Sequence, residues 1–259
     1  MIKDLLLPRE KYTEESQKYG RSPFTFEIEK DEQVLFYFGA NHSHDSANHQ
    51  YSLLRKYWNQ FISRTRGVNR MVLVEGSLRP IRKSEEEAIK QGGEGSLITF
   101  FADRENVEVV CPDIHTGEFI KSRSDIDIDA WLLLSFLRWF NNFSSGGLEN
   151  YKEEAGKWIK QRKIKPEFSN TDVSLENISR LYMKYIGKEF DVNKSQNSLI
   201  SPNRNDAITN KLARLHSDLR EVKIVETIVR HWNEGKSIFV VFGSGHLIIQ
   251  RPALEELLK

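Results

Sequence analysis

The sequence predicts an α/β fold: a mostly parallel central sheet flanked by helices, with an all-helical insertion or cap. Three observations predict it. Short, nearly continuous apolar runs recur at Val34–Phe38, Met71–Val74, Val107–Cys111 and Ser237–Phe242, as expected of strands buried on both faces. The segments between the first three of these runs carry apolar residues at helical spacing, as does the segment before the last. Strands that alternate with helices are joined by crossovers and therefore run parallel. Between 127 and 200 the patterning is helical only.

Each element has its own signal. Residues 1–20 are polar and weakly patterned. Phe24–Ile28 alternates as a strand does, and Lys-Asp-Glu-Gln turns it into Val34–Phe38, which makes a hairpin. Leu53, Leu54, Tyr57, Trp58, Phe61 and Ile62 form the stripe of a helix over about 46–65. Ser84 followed by Glu87 is a capping-box signature, and that helix is expected to stop at Gly92-Gly93, with a second helical segment over Gly95–Asp103. Stripes at Leu132, Phe136, Trp139, Phe140 and Phe143, and at Ile178, Leu181, Tyr182, Tyr185 and Ile186, mark the helical middle. Ser144–Gly147 separates the first stripe from a charged helix around Trp158, and 193–201 reads as a polar loop. A helix or broken pair is expected over about 204–234, and a short closing helix over Pro252–Leu258. The α/β core is thus assigned to 1–126 and 201–259, and the helical insertion to 127–200.

Composition narrows the class of function. Basic and acidic residues number 38 and 37 and are interspersed. The one-sided basic face that nucleic-acid binding needs is missing, so no nucleic-acid partner is expected. The most apolar segment, Ala130–Phe140, is too short to span a bilayer and is interrupted by Arg138, so no membrane partner is expected either. The single cysteine, Cys111, lies in an apolar run and cannot close an intrachain disulfide. With an amino-terminal stretch unlike a signal peptide, this points to a reducing, cytoplasmic setting. A homo-oligomer is left open.

The chemistry gathers at strand ends. His42 follows the run 34–38, Glu75 follows 71–74, Asp113 follows 107–111 and His246 follows 237–242. In open α/β sheets the carboxyl ends of parallel strands share one edge, and ligands bind there. Histidine titrates near neutrality and serves as a general base or metal ligand. A carboxylate beside it can orient the ring, ligate a cation or accept a proton. Gly39, Gly243 and Gly245 are expected to supply positive φ and close backbone approach. Fifteen glycines and seven histidines in 259 residues predict roughly 0.4 Gly-x-x-His by chance. Two are present, Gly39–His42 and Gly243–His246, and both terminate a strand pattern.

Two Gly-x-x-His motifs, a strand-end Glu75-Gly76 between them, and Arg204 opening a long helix before the last strand resemble the TraB/Tiki group, distantly related to erythromycin esterases and ChaN-like haem proteins. The resemblance covers the sheet-forming sequence and not the helical middle. It implies a site of His42, Glu75 and His246, with Arg204 matching less closely. It implies either metal-dependent peptidase chemistry or, as in the esterase relatives, a histidine base without metal.

Plainer readings stand beside these. His42 could cap a turn, and Glu75 could be paired for structural reasons. Arg204 could bind a substrate carboxylate or phosphate, or be salt-bridged at a helix start. His44 and Asp45 share the His42 turn as supporting or solvent-exposed groups. Asp113 could cap the next segment, and Glu94 suits a helix start in any case. His49, His115, His216 and His231 read as surface or structural, and Cys111 as a buried small hydrophobe. The expectation is a hydrolase of esters, amides, peptides or lactones. Its water is activated by His42, Glu75 and His246 around Mn²⁺, Co²⁺ or Zn²⁺, or by a histidine alone. The alternative is a non-catalytic binder of a small molecule, haem or peptide signal. Nucleotide binding lacks its motifs, since no Walker loop or strand-linked GxGxxG is present.

Overall fold

The computed structural model describes residues 1–20, 22–144 and 151–259. They divide into an α/β unit, Met1–Asp113 with Arg220–Lys259, and a helical unit, Ile114–Leu219. The sheet lies in the first. Its strands are β1 (Phe24–Lys30), β2 (Gln33–Ala40), β3 (Arg70–Val74), β4 (Glu108–Val110) and β5 (Ser237–Gly243), in the order β1-β2-β5-β3-β4. Only the β1–β2 hairpin is antiparallel; β2, β5, β3 and β4 run parallel. The fold is therefore α/β, with a five-stranded, mostly parallel sheet flanked by helices.

Side-chain alternation explains why the central strands read as unbroken apolar runs. Leu35 and Tyr37 of β2, Met71 and Leu73 of β3, and Ile238, Val240 and Phe242 of β5 enter one core. Phe36 and Phe38, Val72 and Val74, Phe239 and Val241 enter the core on the other face. The first core is closed by Ile224, Val225, Ile228 and Trp232 of the helix Ile208–Asn233 and by Leu247, Ala253 and Leu254 of the helix Ser244–Leu257. The second is closed by Tyr51, Leu54, Trp58 and Phe61 of the helix Gln50–Arg64 and by Ile89, Leu97, Ile98 and Ala102 of the helix Glu85–Arg104. β1 is an edge strand, and there the strict alternation survives: Phe26 and Ile28 are buried, Thr25, Glu27 and Glu29 exposed.

Several boundaries differ from the sequence reading. The helical unit extends to 114–219, beyond the expected 127–200, because Phe119 on one side and Leu212 and Ala213 on the other pack into its core. The helix Ile208–Asn233 is unbroken, and its part from Arg220 onward belongs to the α/β unit. The last helix begins at Ser244, not Pro252. Pro252 lies inside it, tolerated because Leu247, Ile248, Ile249, Ala253 and Leu254 are buried. The polar loop at 193–201 contains a helical turn, Asn197–Ile200. The weakly patterned start holds the helices Ile2–Leu5 and Tyr12–Lys18 and the 3₁₀ turn Arg9–Lys11. Cys111 lies just past β4, half-buried, and is not interior to the strand.

The helical unit has its own core. Trp131, Phe136, Phe140, Trp158, Phe168, Leu181 and Tyr182 are buried together. The helix Leu175–Ile186 is capped by Ser174, whose Oγ accepts from Asn177 N at 3.1 Å, and ends at Gly187 in the left-handed conformation. The expected break at 144–147 lies, from residue 145 on, outside the described residues, as does the side chain of Phe143.

Candidate active site

Parallel pairing brings the carboxyl ends of β2, β3, β4 and β5 to one edge, and three of the four predicted strand-end residues meet there directly. His42 lies two residues past β2. Its backbone approach is fixed by Gln50, a fully buried side chain that accepts from Asn41 N at 3.0 Å and donates to Asn41 O at 2.7 Å. The Tyr51 hydroxyl donates to Ser43 O. Burial pushes its pKa up to about 12, so it stays a donor at neutral pH.

The His42 ring bridges two carboxylates. Nδ1 is hydrogen-bonded to Glu94 Oε1, and Nε2 stands 3.5 Å from Glu75 Oε2. Glu94 is buried, whereas the His42 side chain is 62% exposed. Its pKa is raised, chiefly by the hydrogen bond to Glu94. Gly93 makes this contact available. It has φ 60° and ψ −147°, which breaks the helix Glu85–Arg104 where the sequence expected a stop. A Cβ there would lie 3.0 Å from Ser43 O, so both the conformation and the close approach require glycine.

Glu75 is the hub. Oε1 accepts from Arg220 Nη2 and His246 Nε2, each at 3.2 Å; Oε2 accepts from Gly243 N at 2.7 Å and faces His42. Partial burial opposes its charge, but these donors outweigh burial and hold the carboxyl well below the usual range. The Asp113 side chain is only 5% exposed and locks the neighbouring geometry. Oδ1 accepts from Arg220 Nε at 2.6 Å, and Oδ2 accepts from Gly76 N.

His246 occupies the first turn of the helix Ser244–Leu257. Its Nδ1 faces Glu221 Oε2 at 2.9 Å and its Nε2 faces Glu75. Burial disfavours the imidazolium, yet Glu221 and Glu75 together overcome it and lift the pKa to about 10. Both ring nitrogens are donors at neutral pH, so this histidine is a fixed cation. Glu221 is itself anchored by Arg9 Nη2 at 3.3 Å and Gln250 Nε2 at 2.6 Å, and Gln250 accepts from the Tyr37 hydroxyl at 2.9 Å.

The glycines of the two motifs act through space and not through positive φ, which none of Gly39, Gly243 and Gly245 has. A Cβ on Gly243 would fall 2.8 Å from His42 Nε2 and 3.3 Å from Glu75 Oε2. An open cavity of about 670 Å³ lies at this edge, lined by Tyr12, Ser16, Phe24, Asn41, Ser244 and Ile248 among others.

The remaining expected residues make contacts of their own. Arg204 belongs to the helical unit, where it is exposed and pairs with Asp206 at 2.5 Å; it stands ahead of its helix, in a polar stretch that leaves it in solvent. The guanidinium on Glu75 is that of Arg220. His44 is exposed with Nδ1 3.2 Å from Lys90 O, and Asp45 caps its own turn through Ala47 N. Arg220, Glu221, Arg9 and Gln250 escaped the sequence reading. Glu221 left a trace: with Val225, Ile228 and Trp232 it completes an apolar helical stripe, where a carboxylate needs a partner.

Among the described residues no group of three or more His, Cys, Asp or Glu side chains is arranged to hold a metal ion. Nε2 of His42 and Nε2 of His246 both face the Glu75 carboxylate, at 3.5 and 3.2 Å, and Nδ1 of each ring faces a further carboxylate, Glu94 and Glu221.

Fold and site together define an α/β protein with a carboxylate–histidine cluster at the carboxyl edge of a parallel sheet. Comparison of the chain with protein-family models, with curated proteins and with solved structures finds no match. Among the described residues no helix is long and apolar enough to cross a membrane.

Proposed function

We propose that the chain is a hydrolase of a small-molecule or peptide substrate, cleaving an ester, lactone or amide with His42 as general base and without a metal. The observation that carries this reading is the environment of His42. It is an exposed imidazole whose Nδ1 is held by a buried carboxylate, leaving Nε2 at the rim beside Glu75. Glu94 fixes the tautomer and supports the imidazolium formed when Nε2 takes a proton from water. The resulting hydroxide adds to the carbonyl carbon. His42 then returns the proton to the departing alcohol or amine, so the step balances without a co-reactant.

The other groups position this pair. His246, Arg220 and Gly243 N neutralise Glu75, which keeps an anion beside Nε2 without letting it compete for the proton. The first N–H groups of the helix Ser244–Leu257 have no intrahelical acceptor and suit a developing oxyanion. Asn41, next to His42, and Ser244, at the start of that helix, line the cavity. The TraB/Tiki resemblance supports the same reading through its metal-free esterase relatives, and the lone thiol Cys111 supports a cytoplasmic setting.

The test is a panel of aryl esters, lactones and peptides assayed with and without chelator. Wild-type turnover should survive chelation, and His42→Ala should lower kcat by about 10²- to 10⁴-fold, the usual contribution of a general base. Loss of activity in chelator would overturn the metal-free reading. Absence of turnover across the panel, with a ligand retained in the cavity, would favour a binding protein instead.

A further inference from the structure

Beside the compensated cations of the cluster stands a bare one. Arg220 is matched by Glu75 and Asp113. Arg79, in the loop after β3, has no carboxylate partner among the described residues, and its Nε is buried without a hydrogen-bond acceptor. Packing holds it instead. The side chain crosses three glycines: a Cβ on Gly76 would lie 3.4 Å from Nη2, one on Gly92 3.8 Å from Cδ, and one on Gly95 3.7 Å from Nε. Gly76 adjoins Glu75, and Gly92 and Gly95 bracket Glu94. The guanidinium therefore lies against the backbone next to Glu75 and Glu94 and is paired with neither carboxylate.

A second orphan lies on the same turn. Ser96 is 2% exposed, and its Oγ has no partner. That oxygen stands 3.2 Å from the Gly92 Cβ position which Arg79 Cδ also approaches. A buried donor without an acceptor bears the full cost of its desolvation, which a bound partner relieves. A guanidinium and a hydroxyl together match an oxyanion, which accepts several hydrogen bonds and supplies the absent charge.

We propose that Arg79 and Ser96 form a subsite for an anionic oxygen group, a carboxylate or a phosphate, carried by the molecule that the His42 site acts upon. The subsite selects anionic substrates and sets their end nearest Glu75. The role of that anion as part of a substrate rests on the hydrolase reading; its binding does not.

Acetate and inorganic phosphate are titrated separately into the full chain by calorimetry, against sodium chloride at matched ionic strength. Wild type should bind at least one of them, and which one identifies the group. Arg79→Gln should weaken binding by about 10-fold or more, as expected when a charge-assisted hydrogen bond is lost. Ser96→Ala should weaken it less, and Arg79→Lys should retain part of it. No binding beyond the chloride control, or equal binding by Arg79→Gln of unchanged melting temperature, overturns the proposal. Where a carboxylate-bearing ester is turned over, Arg79→Gln should erase its kcat/KM advantage over the methyl-capped analogue; a preserved advantage also overturns it. A wild type that binds the anion yet hydrolyses nothing would sink the hydrolase reading alone.

Discussion

Replacing Glu221 with glutamine tests how the cluster is held together. Glu221 is buried, and its two oxygens take three donors: Arg9 Nη2, Gln250 Nε2 and His246 Nδ1. An amide offers one oxygen to these donors and turns an N–H toward another. The rise of the His246 pKa from 6.5 to about 10 corresponds to roughly 5 kcal/mol at ~1.36 kcal/mol per pH unit, shared between Glu221 and Glu75. The sign follows from a raised histidine pKa. Its contribution is complete below about pH 6.5 and is lost as pH rises toward about 10. The depressed carboxylates, Glu75 and Glu221, contribute above about pH 4.5 and lose that share as pH falls. Stability from this cluster is therefore greatest between about pH 4.5 and 6.5.

Urea unfolding of the wild type should show stability falling by about 1.4 kcal/mol per pH unit between about pH 6.5 and 8.5. Glu221→Gln should be about 3–5 kcal/mol less stable at pH 6, because it leaves Arg9 and His246 buried without their shared anion. Its slope above pH 6.5 should also be shallower, since only Glu75 still supports the imidazolium. Identical slopes in the two proteins, or a wild-type His246 ring resonance titrating near 6.5, would refute the reasoning.

Three further outcomes follow from the same geometry. Glu94→Gln removes the main cause of the raised His42 pKa, so the acid limb of kcat/KM should move to lower pH while the plateau falls; an unmoved limb would show that another group titrates. Gly243→Ala keeps an ordinary φ of −55° but puts a methyl 2.8 Å from His42 Nε2, so turnover should drop by about 10²-fold with little change in melting temperature. Phe239→Ala empties the centre of the aromatic group formed with Phe36, Trp58 and Phe61 and should cost about 3–5 kcal/mol by denaturant unfolding.

The strand ends were legible because a strand buried on both faces must be apolar along its whole length, so the first polar residue after it announces the edge. That logic picks out His42, Glu75, Asp113 and His246, which follow β2, β3, β4 and β5. It could not reach Arg220 or Glu221. A helix repeats every 3.6 residues, and a charged residue on its stripe reads as an exposed turn until the partner across the core is known. Arg204 stands near an apparent helix start in the sequence, but the helix opens at Ile208, and the arginine paired with Glu75 is Arg220, well inside it. Pro252 has the look of a helix opening, yet it lies inside a helix that the burial of Leu247–Ile249 and Leu254 sustains. Arg9 had no local pattern at all, because a buried arginine is specified by the carboxylate it meets, here Glu221.

The two Gly-x-x-His motifs are spelled alike, yet their histidines have different chemistry. His42 has one strong carboxylate partner, which raises its pKa, and an open side, so its ring can exchange a proton with solvent. His246 is closed between two carboxylates and stays charged. Groups of the same type whose surroundings separate their protonation states divide the work of acid–base chemistry. Here the division has a structural cause. His42 lies in a loop after a strand, free to face solvent, whereas His246 is drawn by the first turn of its helix toward Glu221 beneath it. The motif therefore identifies where the imidazoles are, and the elements that follow each motif decide which of them stays open to solvent.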